Sequence, residues 1–285
     1  MSFIVDAFEP AFMQRALIGS LLAIVASSLV GTWVVLRGLA FLGDALAHGV
    51  IPGIALAVLF GYNLFLGALV AAVVMTGLIT FVSNRTVIRD DTSIGLLFVG
   101  MLSLGVVIVS TAGSFRTDVT AILFGDALGV SRSDVRNQFI ATAFVVICTV
   151  LLYRPFLAST FNETKAATLG MRPKLTQAAL LGLLSVSIVS SFQTIGTLLV
   201  FGLIVAPPAT ASLLVSRVVP IMLLSMALGA LAAIAGLLVS FHYGTAGGAT
   251  IAGLCVSEFF LVLVARLVKG RLGASNQNRR SEALV

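Results

Sequence analysis

Charged residues are scarce in this chain of 285 residues, of which Asp, Glu, Lys and Arg together make up only 10%. A water-soluble domain carries roughly 25%. With 59% hydrophobic residues and a mean hydropathy of +1.14, the chain has more apolar surface than a soluble protein of its size can hide from water. Apolar stretches of about 20 residues, the length that crosses a bilayer as a helix, recur along it. The composition therefore predicts an all-α, polytopic membrane protein.

The sequence also lacks the motifs of common enzymes. It contains no Gly-x-x-x-x-Gly-Lys-Ser/Thr phosphate loop, since none of Lys165, Lys174 and Lys269 has the required neighbours. A Gly-x-Ser-x-Gly nucleophile elbow and a His-Glu-x-x-His zinc helix are absent as well. We therefore expect no ATPase site and no catalytic residues on this chain. The sequence favours a passage for a small ion or solute over an enzyme.

The sequence also lacks the charge pattern of a cleavable signal peptide, and it contains only two cysteines. The N-terminus has Asp6 and Glu9 and only a late Arg15 before the first apolar run, whereas a cleavable signal peptide begins with a positive region. We expect the first run to be a retained span. Cys148 and Cys255, which both lie in apolar runs, are expected to be buried free thiols.

Membrane-spanning helices can be placed from the apolar runs, and their number is eight or nine because one run contains Pro207-Pro208. The whole chain, 1–285, is expected to form one transmembrane domain, with a disordered cytoplasmic tail over 270–285. The predicted spans are 12–36, 40–60, 64–83, 93–112, 137–153, 175–192, 196–216, 219–241 and 249–268.

The net charge of +6 follows from membrane topology and does not indicate nucleic-acid binding, since no basic fold or motif accompanies it. With the N-terminus outside, 13 of the 17 Lys and Arg residues fall on the cytoplasmic side. This bias obeys the positive-inside rule. It predicts an outside N-terminus and a cytoplasmic C-terminus.

Asp44 and His48 are the ionisable pair of the second span. Spaced by four residues, they lie on one face of a helix, one turn apart. Each costs about 3 kcal/mol or more in hydrocarbon unless it meets water, a partner or an ion. A carboxylate and an imidazole suit a divalent transition metal, but two ligands do not complete a site. Water, backbone carbonyls or another chain would have to supply the rest.

A second interpretation is that Asp44 and His48 pair with each other or cap a helix. The surroundings favour a pore wall, because small residues, among them Gly49 and Gly53, recur every four residues beside the pair and allow a close helix contact. Pro52 removes a backbone hydrogen bond there. Glu258 is the other deep acid, and it either lines a pathway or pairs with a polar group on a neighbouring helix.

The longest inward connection, 154–174, predicts a short helix between two spans. Asn162 can cap it, Glu163 lies in its first turn, and Gly170 can end it before Pro173. Such a helix is not needed for crossing a membrane. It suits docking onto another protein, whereas the plainer alternative is an amphipathic interface helix.

The segment 36–57, which includes Gly43-Asp44-Ala45-Leu46-Ala47-His48-Gly49, resembles the hallmark of the manganese, zinc and iron permeases of ATP-binding-cassette importers. Three stretches agree in order: 123–134 resembles an outer loop of that family, 163–170 its coupling helix, and 198–211 its proline-bearing late span. The resemblance covers roughly 12–268. Two departures stand out, Ala246-Gly247 where the family usually has Pro-Ser, and Glu258 where an apolar residue is expected.

The resemblance implies a homodimer in the cytoplasmic membrane of a prokaryote. Two ATPase subunits that bind the ATP and an extracytoplasmic metal-binding protein would be its partners, and the chain would hold no cofactor beyond the transported metal. Asp44 and His48 match the metal-contacting positions. The positions implied to couple to the ATPase are Glu163, Ala166, Leu169 and Gly170. The alternative is a gradient-driven transporter in which Asp44, His48 and Glu258 relay protons.

Overall fold

The computed structural model describes residues 7–85, 90–111, 129–195 and 197–282, with side chains over 7–82, 92–110, 129–192 and 200–269. The helices are α1 Ala11–Leu36, α2 Ala40–Gly49, α3 Ile51–Leu59, α4 Leu64–Arg85, α5 Asp90–Thr111, α6 Arg132–Leu151, α7 Tyr153–Phe161, α8 Glu163–Thr168, α9 Pro173–Ile195, α10 Thr197–Leu214, α11 Val218–Tyr243 and α12 Gly247–Glu282. The first half of the predicted outer loop, 123–128, lies outside these residues.

Eight helical segments in the described part of the chain, with α2 and α3 taken together as one, are long and apolar enough to cross a membrane, which confirms the all-α polytopic fold. They contain eight of the nine predicted spans. The remaining one, 196–216, corresponds to α10, whose apolar part Val200–Leu214 is shorter than the others. At 1.5 Å per residue, the 18 residues of α10 reach about 27 Å, close to the thickness of a bilayer core.

The predicted span 40–60 is divided in two. Helix α2 ends at Gly49 and α3 begins at Ile51, with Val50 between them at φ −82° and ψ −16°. Pro52, in the first turn of α3, has no N–H to donate to the carbonyl of His48. The proline thus interrupts the helix just beyond the Asp44–His48 pair.

Helix α6 begins five residues before the predicted 137–153 span because its first turn is capped. The Ser131 side chain accepts a hydrogen bond from the Asp134 backbone N–H at 3.2 Å, and the Asp134 carboxylate accepts one from the Ser131 N–H at 3.0 Å. This reciprocal capping box satisfies donors that would otherwise be unpaired. It allows the helix to start in the polar connection.

Helix α1 lies at the centre of the bundle, in contact with α6, α9, α10 and α11. Gly31 permits its close approach to α10, since a methyl group there would overlap the carbonyl of Ile204. Helices α5 and α12 lie at the periphery, because only 17% of the most apolar stretch of each is buried within the chain. The outward faces of these two helices are free for lipid or another chain.

The loops predicted to share a side of the membrane meet in the structure. The Arg37 side chain reaches Thr160, at the end of α7, while Tyr153 at the start of α7 shares a cavity with Val219. Arg217 and Arg266 share another cavity. We call this end of the bundle the basic end. Asn63 and Asn137 share a cavity at the opposite end, so the alternation of the helices agrees with the predicted topology.

Candidate functional site

Helix α2 places Asp44 and His48 on one face, as their spacing predicts. The side chain of Asp44 is 29% exposed and that of His48 is 17% exposed, whereas Leu42 and Leu46 on the opposite face are buried. Phe41, one turn before Asp44, is also exposed. The pair therefore lies in a partly exposed stripe on the surface of the single chain and is not sealed inside the bundle.

The imidazole of His48 is oriented by its own helix. Its Nδ1 lies 3.0 Å from the backbone carbonyl oxygen of Asp44 and 3.4 Å from the Asp44 Oδ1. Because a carbonyl oxygen only accepts, Nδ1 carries the proton when the ring is neutral, and Nε2 keeps its lone pair. Histidines that bind metals in proteins are commonly held in this way, with the other ring nitrogen donating to a carbonyl or carboxylate.

The observed geometry is compatible with both interpretations of the pair, the metal site and the pairing of the two side chains with each other. His48 does interact with Asp44, and that interaction still leaves Nε2 and one carboxylate oxygen for a further ligand. In the described part of the chain no third His, Cys, Asp or Glu joins them to form a cluster that could hold a metal. A single chain consequently offers two side-chain ligands here.

An aromatic ring of α5 packs against the imidazole. The rings of His48 and Phe98 are 5.3 Å apart between centroids and nearly perpendicular at 85°. Phe98 also contacts Phe41, with centroids 6.2 Å apart. Such edge-to-face contacts fix ring orientation. Phe98 is a site residue that sequence reasoning missed, because its distance from His48 along the chain carries no signal of contact.

The glycines beside the pair act as predicted. A methyl group on Gly53 would overlap the carbonyl of Gly67 in α4, and one on Gly67 would overlap the carbonyl of Gly53. Gly49 faces the Met75 side chain of α4. Helices α3 and α4 therefore touch backbone to backbone, which holds the segment after the pair firmly in place.

The predicted inward helix is present as α8, Glu163–Thr168. The Asn162 side chain caps it by accepting a hydrogen bond from the Lys165 N–H at 2.8 Å, and Gly170 follows it at φ +75°. Ala166 is fully buried against the neighbouring helices, while Leu169 is 70% exposed. The segment is thus anchored on one side and presents an exposed apolar side chain on the other.

Arg37 connects the turn between α1 and α2 to the segment that leads into α8. Its Nε donates to the Thr160 hydroxyl at 2.9 Å, and a terminal nitrogen donates to the Phe156 carbonyl at 3.4 Å. Burial lowers the pKa of the guanidinium, and the negative charge of Glu163 opposes that shift. The contact joins residues 123 positions apart. The only indication of it in the sequence is a cation placed beside a predicted helix end.

Glu258 is half-buried in α12, and its Oε2 has no hydrogen-bond partner among the described residues. The structure therefore does not show the predicted pairing with a polar neighbour for that atom. Cys255 lies three residues earlier on the same helix. Cys148 and Cys255 are both free, as predicted, but only Cys255 is buried, whereas Cys148 is partly exposed.

Comparison with known proteins gives consistent results. Residues 9–266 match the model of the ABC 3 transport family. The chain is 37% identical to "Manganese import system permease protein ScaB" of Streptococcus parasanguinis, covering 88% of this chain and 89% of that one. It is 34% identical to "Manganese transport system membrane protein MntC" of Listeria monocytogenes, with 93% and 94% covered.

A solved structure with a similar fold is "PsaBC from Streptococcus pneumoniae in complex with Fab". The TM-score is 0.82 at 30% sequence identity, and the match covers 91% of this chain and 94% of that chain. The similarity therefore extends over nearly the whole of both chains.

Proposed function

Because the chain belongs to the ABC 3 transport family, we propose that it is the permease subunit of an ATP-binding-cassette importer that moves a divalent transition metal into the cytoplasm. Manganese is the first candidate, since similar permeases from Streptococcus parasanguinis and Listeria monocytogenes carry it in their names. The observation that carries the proposal is the oriented His48 ring, whose Nε2 stays available beside the Asp44 carboxylate in a membrane span.

A second copy of the chain would complete the passage. The pair is partly exposed on the outside of one chain, where lipid contact would cost about 3 kcal/mol or more for the carboxylate. Two copies that face each other across this stripe would remove that cost. They would also bring two carboxylates and two imidazoles together, a mixed oxygen and nitrogen set that suits Mn²⁺, Zn²⁺ or Fe²⁺. The ion is held transiently, because a transport site must release as well as bind.

The ATPase subunits that drive transport would bind at the basic end. This chain has no phosphate loop, so two separate ATPase subunits would bind and hydrolyse the ATP. They would dock at 162–170, where the exposed Leu169 supplies an apolar contact, Glu163 a charge, and the buried Ala166 and the turn at Gly170 a fixed shape. We call 162–170 the coupling segment. At the opposite end, an extracytoplasmic metal-binding protein would deliver the ion, and the importer would lie in the cytoplasmic membrane of a prokaryote.

Arg37 offers a route from the coupling segment to the metal pair. Helix α8 contacts α7 and α9, and Arg37 binds the last turn of α7. Asp44 follows Arg37 by seven residues, in the next helix. A displacement of α7 by the ATPases would therefore act on the turn between α1 and α2, which leads into the helix of the metal pair.

Metal accumulation in cells tests the proposal. A strain without its own importer would express the complete transporter with wild-type permease, Asp44→Ala, His48→Ala or, as a matched control, His242→Ala, whose side chain is exposed near the outer end. Manganese, zinc and ferrous iron would be supplied separately. We expect uptake of the transported metal to fall to the background level for Asp44→Ala and His48→Ala and to persist for His242→Ala.

Two results would contradict this function. Normal uptake by both Asp44→Ala and His48→Ala, at matched membrane levels of protein, would show that these residues do not form the metal site. Uptake by the reconstituted chain alone, driven by a proton gradient without an ATPase, would instead support the gradient-driven transporter.

A further inference from the structure

Two arginines line one cavity at the basic end, away from the metal pair and the coupling segment. The cavity has a volume of about 480 Å³ and lies between the α10–α11 turn and the last part of α12. Its polar lining comes from Arg217, Arg266, Ser212 and Ser216. None of these residues has a part in the transport mechanism proposed above.

The charges of this cavity are not matched within the described residues. The side chains of Arg217 and Arg266 are both exposed, and neither forms an ion pair or a hydrogen bond with a described residue, in contrast to that of Arg37, which has two acceptors. The last carbonyls of α10 are nearby, yet no guanidinium N–H of the described residues donates to them. Two cations that share a cavity repel each other unless an anion lies between them. Guanidinium groups bind phosphate oxygens particularly well, through paired N–H donors.

The rest of the lining is apolar and partly exposed. Leu213, Leu214 and Val215 border the cavity, and Leu214 is 52% exposed. Leu267, which follows Arg266 in α12 and is not itself part of the lining, is 60% exposed. A ligand that joins a negative charge to a hydrocarbon chain fits such a mixed surface better than a small anion or an acidic protein loop does.

The position along the membrane normal agrees with this chemistry. Arg217 directly precedes the span Val218–Tyr243, and Arg266 lies three residues before the end of the span Gly247–Lys269. Both cations are thus at the depth where one span starts and another ends, which is the level of lipid headgroups. Basic pockets between transmembrane helices on the cytoplasmic side are known binding places for anionic headgroups.

We propose that the Arg217–Arg266 cavity binds the phosphate of an anionic phospholipid from the adjoining leaflet, with the acyl chains along Leu214 and Leu267. The guanidinium groups and the Ser216 hydroxyl donate to the phosphate oxygens. The bound lipid would neutralise the two charges and hold α10 and α11 against α12. This site does not depend on which ion the protein transports.

Lipid titration followed by native mass spectrometry tests the site. The full chain, purified in a neutral detergent and freed of lipid, would be titrated with phosphatidylglycerol and with phosphatidylcholine of the same chain length. We expect tighter binding of phosphatidylglycerol. Arg217→Gln and Arg266→Gln should each weaken it about fivefold, and the double variant about 25-fold, since each basic residue near an anionic headgroup contributes roughly that factor.

Three controls make the result specific. The double variant Arg154→Gln/Arg172→Gln removes two exposed charges at the same end and should change the affinity less than twofold. Arg217→Lys/Arg266→Lys keeps the charge and should retain most of the binding. If the Arg217→Gln/Arg266→Gln protein aggregates, the single variants supply the measurement.

Several outcomes would overturn the proposal. Equal binding of phosphatidylglycerol by the wild type and the double Gln variant would exclude the site. Full competition by inorganic phosphate or by glycerophosphoglycerol, which has no acyl chains, would reduce it to a site for free anions. Loss of a co-purified ATPase with unchanged lipid binding would identify the cavity as a protein contact instead.

Discussion

The Asp44–His48 pair and the coupling segment differ in what holds them in place. The pair is fixed locally, by a hydrogen bond within α2 and by the Phe98 ring. The coupling segment is held by its Asn162 cap, by the buried Ala166 and, through α7, by the Arg37 side chain from a distant part of the sequence. Ligand chemistry needs correctly oriented atoms, whereas the transmission of force needs a connection between separate elements.

The exposed surfaces of the Asp44–His48 pair and of the coupling segment also differ. Around the pair, exposure is partial and polar atoms remain available to an ion. On the coupling segment, the most exposed apolar side chain is Leu169, which has no described neighbour to cover it. The first surface therefore suits a small cation and the second a protein partner, and substitutions in the two regions should fail in different ways.

Leu169→Glu is expected to have the largest effect, because it should disrupt ATPase docking and leave metal binding intact. A charge at the centre of an apolar contact should release the ATPase subunits and abolish uptake, while the permease still binds metal. Co-purification of the ATPase with the permease measures this, and Tyr62→Glu, an exposed site at the outer end, is the control. Wild-type amounts of bound ATPase with Leu169→Glu would show that docking occurs elsewhere.

The link between the regions is tested by Arg37→Ala. Hydrogen bonds to a charged group contribute about 1.5–3 kcal/mol, so we expect uptake to fall about tenfold or more while ATP hydrolysis changes less than twofold. Arg37→Lys keeps the charge but loses the paired donors, and Thr160→Val should have a smaller effect. Parallel loss of hydrolysis and uptake would mean that Arg37 serves folding and not transmission.

The backbone contact behind the pair is tested by Gly53→Ala. Because the new methyl group overlaps the Gly67 carbonyl, α3 and α4 must separate, at a cost of about 1–3 kcal/mol. Thermal unfolding in detergent measures the loss. Gly77→Ala in α4 is the matched control, since its methyl group would meet nothing within 4 Å. Equal unfolding temperatures for Gly53→Ala and the wild type would contradict the close packing.

The smallest effect is expected from Phe98→Ala. Loss of the edge-to-face contact, about 0.5–1.5 kcal/mol, should loosen the His48 ring and raise the metal concentration for half-maximal uptake about threefold. The maximal rate should change little. Phe139→Ala, an exposed aromatic residue on α6, is the control. An unchanged concentration dependence would show that the intrahelical hydrogen bond alone orients the imidazole.

Features that depend on neighbours along the chain were predictable. Apolar runs of bilayer length located the spans, because a helix satisfies its own backbone hydrogen bonds in lipid. The Asp44 and His48 spacing placed both side chains on one face, and Asn162 and Gly170 marked the ends of α8. The starts and breaks of helices were less accurate, as at Ser131 and Val50, because capping and a proline shift them by several residues.

The amino-acid sequence alone was sufficient to predict a membrane protein, the side on which its cations accumulate, and Asp44 and His48 as the candidate metal ligands. The packing of the helices was needed to show that this pair lies in a partly exposed stripe, that Phe98 contacts the imidazole, and that Arg37 reaches Thr160. It likewise brought Arg217 and Arg266 to one cavity. The reason is physical: helical periodicity sets directions around a single axis, whereas contacts between helices depend on how several axes pack.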